Sequence, residues 1–479
     1  MAGRRLPLVI VLGATGAGKS NLALEIAKVF KGEIISADSM QIYKGLNIIT
    51  NKVTDEEQTD VKHHMISYLN ADHKHYTVVD FKTAALPIIE ELLKNETLPV
   101  ICGGTNYYIE SLLWDFTVNS NTQGDGKRPS EATTDKLLDD PTSKKSHLSG
   151  QALTEYDATN KLLDELSGLS NEKNALTDRL QELDSSQLHR CLSHVDPESA
   201  AKKHPKDTRK VIRALQYFLE TGATLSSAHS LQHQGQASVK SGPLRYPDPC
   251  ILWVKCDQPD LDSRLDKRVD AMIERGVIKE LEDFAQQAQH LGSVGGEDPD
   301  SNSSYPFGFL QNIGFKEFHK YLQMTPQERE TLGGKAALQE GITNLKQVTR
   351  RYARQQVKWI QRRFCSRPGA NVPPVYTIDS TDKSKWPEAV SEAVAIVQAF
   401  CDGQQPDKSP EVPNLSVVQF EHNVCTICEG KVFLYVHDWC NHLKSKGHRY
   451  NVKKMNKERT ELFKLIESRK QQLESTKTD

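Results

Sequence analysis

The chain opens on an uninterrupted apolar run, Leu8 to Leu12, followed by a glycine-rich turn and then by the Leu/Ala-rich segment Leu22 to Ala27. Such a run, bounded by a turn and a helix-forming stretch, predicts a strand buried on both faces that feeds a helix. The pattern repeats. Glu33 to Asp38 reads as a short strand ending in a carboxylate, Val78 to Leu93 as an amphipathic helix, and Leu98 to Cys102 as another buried strand. That strand ends in Gly103-Gly104-Thr105 and leads into an apolar helix to Leu113. Strands and helices in alternation predict a parallel sheet with helices on both faces, an α/β architecture.

From Val118 to about Gly150 the apolar positions vanish into Asn, Thr, Ser, Asp, Lys and Gly, a composition expected of a flexible insert. Helical patterning returns from Leu153 to Leu183 and from Leu188 to Ala201, and the sheet resumes at Cys250 to Cys256 before a helix rich in arginine and aspartate from Leu261. The expected divisions are therefore a first core segment (1–117), an insert with a helical domain (118–249), a second core segment with basic helices (250–402), a proline-containing linker (403–419) and a C-terminal module (420–479). Gly292 to Ser304 reads as a loop.

At 479 residues with 37% hydrophobic content, the chain has material for two or three cores. No apolar stretch reaches the length of a membrane span, so none is expected. A formal net charge of −2 decides nothing about nucleic acid, because the charges are unevenly distributed. The nine cysteines are scattered, and only Cys425 and Cys428 have ligand spacing, which suits a reducing compartment. The cytoplasm is the expected location, with mitochondrial and nuclear pools left open; the early first strand leaves no room for a removable presequence.

The turn after the first strand is GATGAGKS, a complete G-x-x-x-x-G-K-S phosphate loop made of Gly13, Ala14, Thr15, Gly16, Ala17, Gly18, Lys19 and Ser20. Its strand and helix flanks supply the context the motif requires, and they place the chain among folds like those of the P-loop NTPases. Backbone N–H groups wrap a di- or triphosphate there, Lys19 neutralises its terminal oxygens, and Ser20 is the expected Mg²⁺ ligand. Asp38, at the carboxyl end of its strand, is expected beside the loop. The next strand ends in Gly-Gly-Thr where an NTPase wants an acidic residue. That argues against hydrolysis and leaves Asp38 available as a general base.

Residues Lys346 to Arg363 carry seven basic residues and no acidic one, with Arg350 and Arg354 four residues apart. An unbalanced row of this kind suits a phosphate backbone better than a merely solvated surface. Further on, Cys425, Cys428, His442 and His448 have C-x2-C-x13-H-x5-H spacing, the donor set of a structural Zn²⁺ site. Ten basic residues against three acidic ones between Lys444 and Lys470 extend the basic character to the tail.

With these features in place, the chain resembles the tRNA dimethylallyltransferases. The matching stretches are GATGAGKS (13–20), SADSMQIYKGLNIITNK (36–52), GGTNYYIESLL (103–113), HPKDTRKVIRAL (204–215), RLDKRVDAMIERG (264–276), IGFKEF (313–318) and YARQQVKWI (352–360). The finger is similar to the C-terminal addition of eukaryotic-type members. The resemblance implies transfer of a dimethylallyl group from dimethylallyl diphosphate to N6 of the adenine 3′ of the anticodon in tRNA. It implies Asp38 as the group acting on the amine, and Thr105 and Lys19 as diphosphate supports. Arg264 or Arg268 is then expected to reach the diphosphate. Asp38, Ser39, Met40 and Gln41, with Arg209, Lys210, Arg213, Gln311 and Lys316, fall on stretches that contact the tRNA anticodon stem-loop. A monomer is expected. Two other enzyme readings share the loop and Asp38, an adenylate isopentenyltransferase and a P-loop kinase. A third reading makes the chain an RNA-binding protein with a relic loop.

Overall fold

The computed structural model describes residues 6–70, 73, 76–115, 151–170, 172–227, 243–290, 312–365, 372–412, 420–428 and 430–475. The chain forms two compact units, one of residues 1–117 and 241–413, the other of residues 118–240 and 414–479.

The first unit is built on six parallel strands, β1 (Val9–Gly13), β2 (Glu33–Ser36), β3 (His63–His64), β4 (Pro99–Cys102), β5 (Cys250–Lys255) and β6 (Val375–Asp379), in the order β3-β2-β4-β1-β5-β6. Strands in the middle of such a sheet are covered on both faces, which is why β1, β4 and most of β5 read as continuous apolar runs. Helices α1 (Lys19–Phe30), α2 (Val78–Lys94) and α3 (Asn106–Leu113) follow β1, β3 and β4. Two apolar clusters result. One gathers Val9, Val11, Leu22, Ile26, Val100 and Leu252, and the other Ile10, Leu12, Phe81, Ile101, Ile109 and Trp114, so alternate residues of β1 serve opposite faces.

In the second unit, helices α4 (Gln151–Gly168), α5 (Lys173–Glu182), α6 (Ser185–Val195) and α7 (Thr208–Thr221) share a core of Leu166, Leu180, Leu188, Leu192, Val211 and Leu215. Back in the first unit come α8 (Gln258–Glu274), α9 (Val277–His290), α10 (Phe315–Leu322), the 29-residue α11 (Leu332–Ile360) and α12 (Trp386–Asp402). The second unit ends with the antiparallel hairpin β7 (Phe420–Cys425) and β8 (Lys431–Tyr435), then α13 (Val436–Lys444) and α14 (Lys446–Ser475).

The chain leaves and re-enters the first unit at one clasp. Trp114 and Leu244 form an antiparallel bridge, Asp115 N–H donates to the Pro243 carbonyl at 2.9 Å, Arg245 N–H donates to the Leu113 carbonyl at 2.8 Å, and Arg245 pairs with Asp115 at 2.7 Å. The insert stretch 118–150, the Gly292–Ser304 loop and Gln311 lie outside the described residues. The linker expectation is corrected for residues 403–412. Glu411 N–H donates to the Val375 carbonyl at the edge strand, and Lys255 and Lys408 pair with Glu411 and Glu392, so these residues are pinned to the first unit.

Candidate active site

The phosphate loop spans the end of β1 and the start of α1. Gly18 sits at φ +100°, a left-handed conformation that L side chains rarely adopt, and this lets the chain turn directly into the helix. Thr15 is held from two sides. Its backbone N–H donates to Gln356 Oε1 at 2.8 Å, and its hydroxyl accepts from Arg268 Nη1 at 2.9 Å. Lys19 is 8% exposed, and its ammonium donates to the Ala14 carbonyl at 2.9 Å. Burial lowers the proton affinity of Lys19, with Asp38 opposing the shift and Arg268 adding to it. Burial likewise brings the Arg268 guanidinium down to about 10, against the pull of Asp38. Two desolvated cations side by side form a site that a multivalent anion would stabilise.

Asp38 follows β2, where its Oδ1 accepts from Met40 N–H at 2.9 Å and Gln41 N–H at 3.4 Å. Thr105 follows β4, and its Oγ1 accepts from Ser39 N–H at 2.9 Å, so the Asp38 turn and the Thr105 turn are stitched together. Gly103 makes this possible. A Cβ there would stand 2.1 Å from the Ala37 carbonyl oxygen, so only glycine allows the two strand ends to lie so close.

Beyond Asp38, the loop to Lys52 is fixed by its own side chains together with Glu280 of α9 and Ser67. Gln41 Nε2 donates to the Thr50 and Asn51 carbonyls, and the Glu280 carboxylate accepts from Ile48 and Ile49 N–H at 2.8 and 2.9 Å. The buried Lys52 ammonium donates to the Tyr43 and Gly45 carbonyls, Asn47 Oδ1 and Ser67 Oγ.

One cavity of about 1070 Å³ joins these parts. Thr15 to Ser20, Asp38 to Gln41, Gly104, Arg264 and Arg268 all line it. The two candidate arginines differ in what they touch: Arg268 reaches the loop, whereas Arg264 donates to the Ser380 and Thr381 carbonyls at 2.6 and 2.7 Å. The walls also include Asp260, Lys267, Tyr352, Gln356, Lys383 and Trp386, which the sequence did not mark as site residues. Tyr352 and Gln356 lie inside the YARQQVKWI stretch four residues apart, and that spacing was the available signal.

The basic helix is not unbalanced. Lys346 pairs with Asp270 at 2.6 Å, Arg350 with Asp266, and Arg354 with Asp262, three rungs between α11 and α8. Arg363 binds Glu110, whose carboxylate is fully buried. Arg350 and Arg354, expected to meet an RNA backbone, are therefore each paired with a carboxylate of α8, and Arg351, Arg354 and Lys358 are exposed on the same helix. Arg209, Lys210 and Arg213 lie exposed on α7, opposite Val211, Ala214 and Leu215. Lys316 is exposed at the start of α10. Tyr108 is buried and stacked on Phe81, whereas Tyr107 is exposed and meets Trp359 edge to face.

In the second unit, one ligand atom from each of Cys425, Cys428, His442 and His448 falls within 4.8 Å of all the others. His448 Nδ1 lies 3.5 Å from both sulfurs and 3.1 Å from His442 Nε2. Bond lengths of about 2.0–2.3 Å to a common centre give separations of this size, so the cluster fits a tetrahedral metal ion.

Fold and cavity together define a P-loop α/β protein whose phosphate loop opens toward a carboxylate and a basic wall, the arrangement of a group-transfer enzyme acting on a phosphorylated substrate. The chain matches the IPP transferase family over residues 41–161 and 158–363, and it belongs to that family. It is 42% identical over 459 residues to the tRNA dimethylallyltransferase of Mus musculus, covering 94% of this chain and 87% of the relative. With the Homo sapiens tRNA dimethylallyltransferase it shares 41% identity over 469 residues, 97% of this chain and 90% of the relative. A solved structure of a eukaryotic dimethylallyltransferase acting on tRNA superposes with a TM-score of 0.66 at 26% identity, over 96% of this chain and all of the other.

Proposed function

We propose that the chain transfers a dimethylallyl group from dimethylallyl diphosphate to N6 of the adenine 3′ of the anticodon in tRNA. One observation carries this reading: Asp38 and the Lys19–Arg268 pair of the phosphate loop open into the same cavity. The loop then holds a leaving group, and Asp38 faces the incoming nucleophile. Family membership and the named activities of the relatives from mouse and human support the choice of substrate class.

The adenine amine is a poor nucleophile because its lone pair is shared with the ring. Asp38 accepts a hydrogen bond from the amine and takes one N–H proton as the nitrogen pair forms the bond to the allylic carbon. The carbon–oxygen bond to diphosphate breaks with its electrons, and that growing charge is met by Lys19, Arg268 and the loop amides. Ser20, exposed at the cavity wall, is the residue that would hold Mg²⁺, which neutralises part of the diphosphate charge. Thr105 holds Ser39 and so keeps the Asp38 turn in place. The target base must leave its stack to reach Asp38, at a cost of a few kcal/mol that a single-stranded loop keeps low.

Arg209, Lys210, Arg213 and Lys316 are exposed cations suited to the RNA backbone, as are the exposed bases of α14. The metal of the finger is Zn²⁺ on this reading, since two thiolates and two imidazoles are its usual shell.

The test is incubation of the full chain with labelled dimethylallyl diphosphate and an undermodified tRNA, followed by nucleoside analysis. N6-isopentenyladenosine is expected with wild type and is lost, by at least about 100-fold in rate, with Asp38→Asn, while tRNA binding persists. Steady ATP cleavage without tRNA, or prenylation of free AMP in preference to tRNA, would replace this reading by a kinase or an adenylate isopentenyltransferase.

A further inference from the structure

Strands β1 and β4 are neighbours, and the last pair of their ladder is Val11 with Cys102. Past that pair the chains diverge, β1 into the phosphate loop and β4 into the turn that carries Gly103, Gly104 and Thr105. A side chain of α11 spans the gap. Gln356, on α11, is 4% exposed; its Oε1 accepts from Thr15 N–H at 2.8 Å and its Nε2 donates to the Gly104 carbonyl at 2.9 Å. A Cβ added at Gly104 would lie 2.8 Å from Gln356 Nε2 and 3.1 Å from Asp38 Oδ2, so amide, glycine and carboxylate meet without spare room.

We propose that Gln356 is a positioning residue that fixes the separation of the phosphate loop from the Gly103–Thr105 turn, and so transmits occupancy of the loop to the Asp38 side of the cavity. The inference rests on the prenyl-transfer reading for its consequence in rate, though not for the coupling itself. A carboxamide is the side chain this bridge requires, because it offers an acceptor at one atom and a donor at the other. Glutamate keeps only the acceptor, and asparagine is one methylene short. Displacement at carbon depends on the separation of nucleophile and leaving group, and an error near 1 Å costs about 100-fold in rate. Gln356 touches neither reacting atom on this account. It sets the distance between the elements that do.

The experiment measures hydrogen exchange in the full chain with and without inorganic pyrophosphate and Mg²⁺, alongside steady-state kinetics with dimethylallyl diphosphate and tRNA. In wild type, pyrophosphate slows exchange in residues 13–20 and also in residues 103–106. In Gln356→Ala and in the near-isosteric Gln356→Glu, protection stays at 13–20 and is lost at 103–106. The same variants lose about 100-fold in kcat, with both KM values within threefold of wild type, and Gln356→Asn falls between. Protection at 103–106 that survives in either variant overturns the proposal, as does a Gln356→Glu kcat within threefold of wild type. Should the alanine variant fail to fold, the glutamate variant decides alone. A wild type that shows the coupled protection but never prenylates tRNA sinks the proposed function and leaves this inference standing; a wild type with no protection at either segment overturns both.

Discussion

Arg363→Ala should destabilise the first unit far more than an ordinary surface substitution. Glu110 is fully buried on α3, and its carboxylate accepts from Arg363 Nη2 at 2.8 Å, from Arg363 Nε at 3.0 Å, and from the Trp359 indole N–H. Removing Arg363 takes the bidentate cation from a buried carboxylate and leaves the indole in place. Breaking a buried pair in this way costs about 3–5 kcal/mol. Arg363 is 41% exposed, so solvent already screens the pair and the lower end, about 3 kcal/mol, applies. At about 2–4 °C per kcal/mol for a unit of this size, the melting midpoint falls by about 6–12 °C. Adding Glu110→Gln to the same chain removes the carboxylate charge and recovers much of the loss. Thermal unfolding followed by tryptophan fluorescence gives the midpoints of both variants, and urea unfolding, with the slope checked for constancy, gives the matching free energies. A midpoint for Arg363→Ala within about 1 °C of wild type would refute the account, as would a double variant less stable than the single one.

Three further outcomes follow from the geometry. Burial brings the Lys52 amine down to about 8 in the fold, with Glu280 opposing, against about 10.4 unfolded. The folded state therefore binds fewer protons between about pH 8 and 10.4, and the Lys52 contribution rises with pH across that window; Lys52→Met should flatten the rise in a series of urea titrations, and an unchanged slope contradicts it. Replacing Arg209, Lys210 and Arg213 together by alanine should weaken tRNA binding and reduce the slope of log K against log salt by about 2–3, whereas Arg350→Ala should leave that slope alone. Cys428→Ala, or treatment with a strong chelator, should unfold the β7–β8 hairpin and α13, seen as loss of bound metal and rapid protease cleavage near residue 430, while the melting of the first unit stays put.

What could be read in the sequence was whatever has a local cause. Leu8 to Leu12, Val100 to Cys102 and Cys250 to Val254 announce strands because burial on both faces demands apolar residues without a break. The phosphate loop needs its glycines in place, so it announces itself as well. β3 has only two residues, His63 and His64, too few to stand out, and β6 follows a pair of prolines and mixes Thr377 and Asp379 among its apolar residues, which hides a strand of ordinary length. The spacing from Tyr352 marks Gln356, but its bridge was not legible because its partners, Thr15 and Gly104, are 341 and 252 positions away in the chain. The ladder between α8 and α11 was nearer to hand. Asp262, Asp266 and Asp270 repeat every four residues, as do Lys346, Arg350 and Arg354, and opposite rows at one period are made to face each other.

The clasp at Trp114 and Leu244 has an evolutionary reach. Chains paired antiparallel at such a bridge run only about 5 Å apart, a gap that a tight hairpin closes. The chain between Trp114 and Leu244 leaves and rejoins the sheet unit at neighbouring points, so its length can change without moving a strand of the sheet. Divergence in that stretch is therefore compatible with an unchanged sheet and an unchanged phosphate loop.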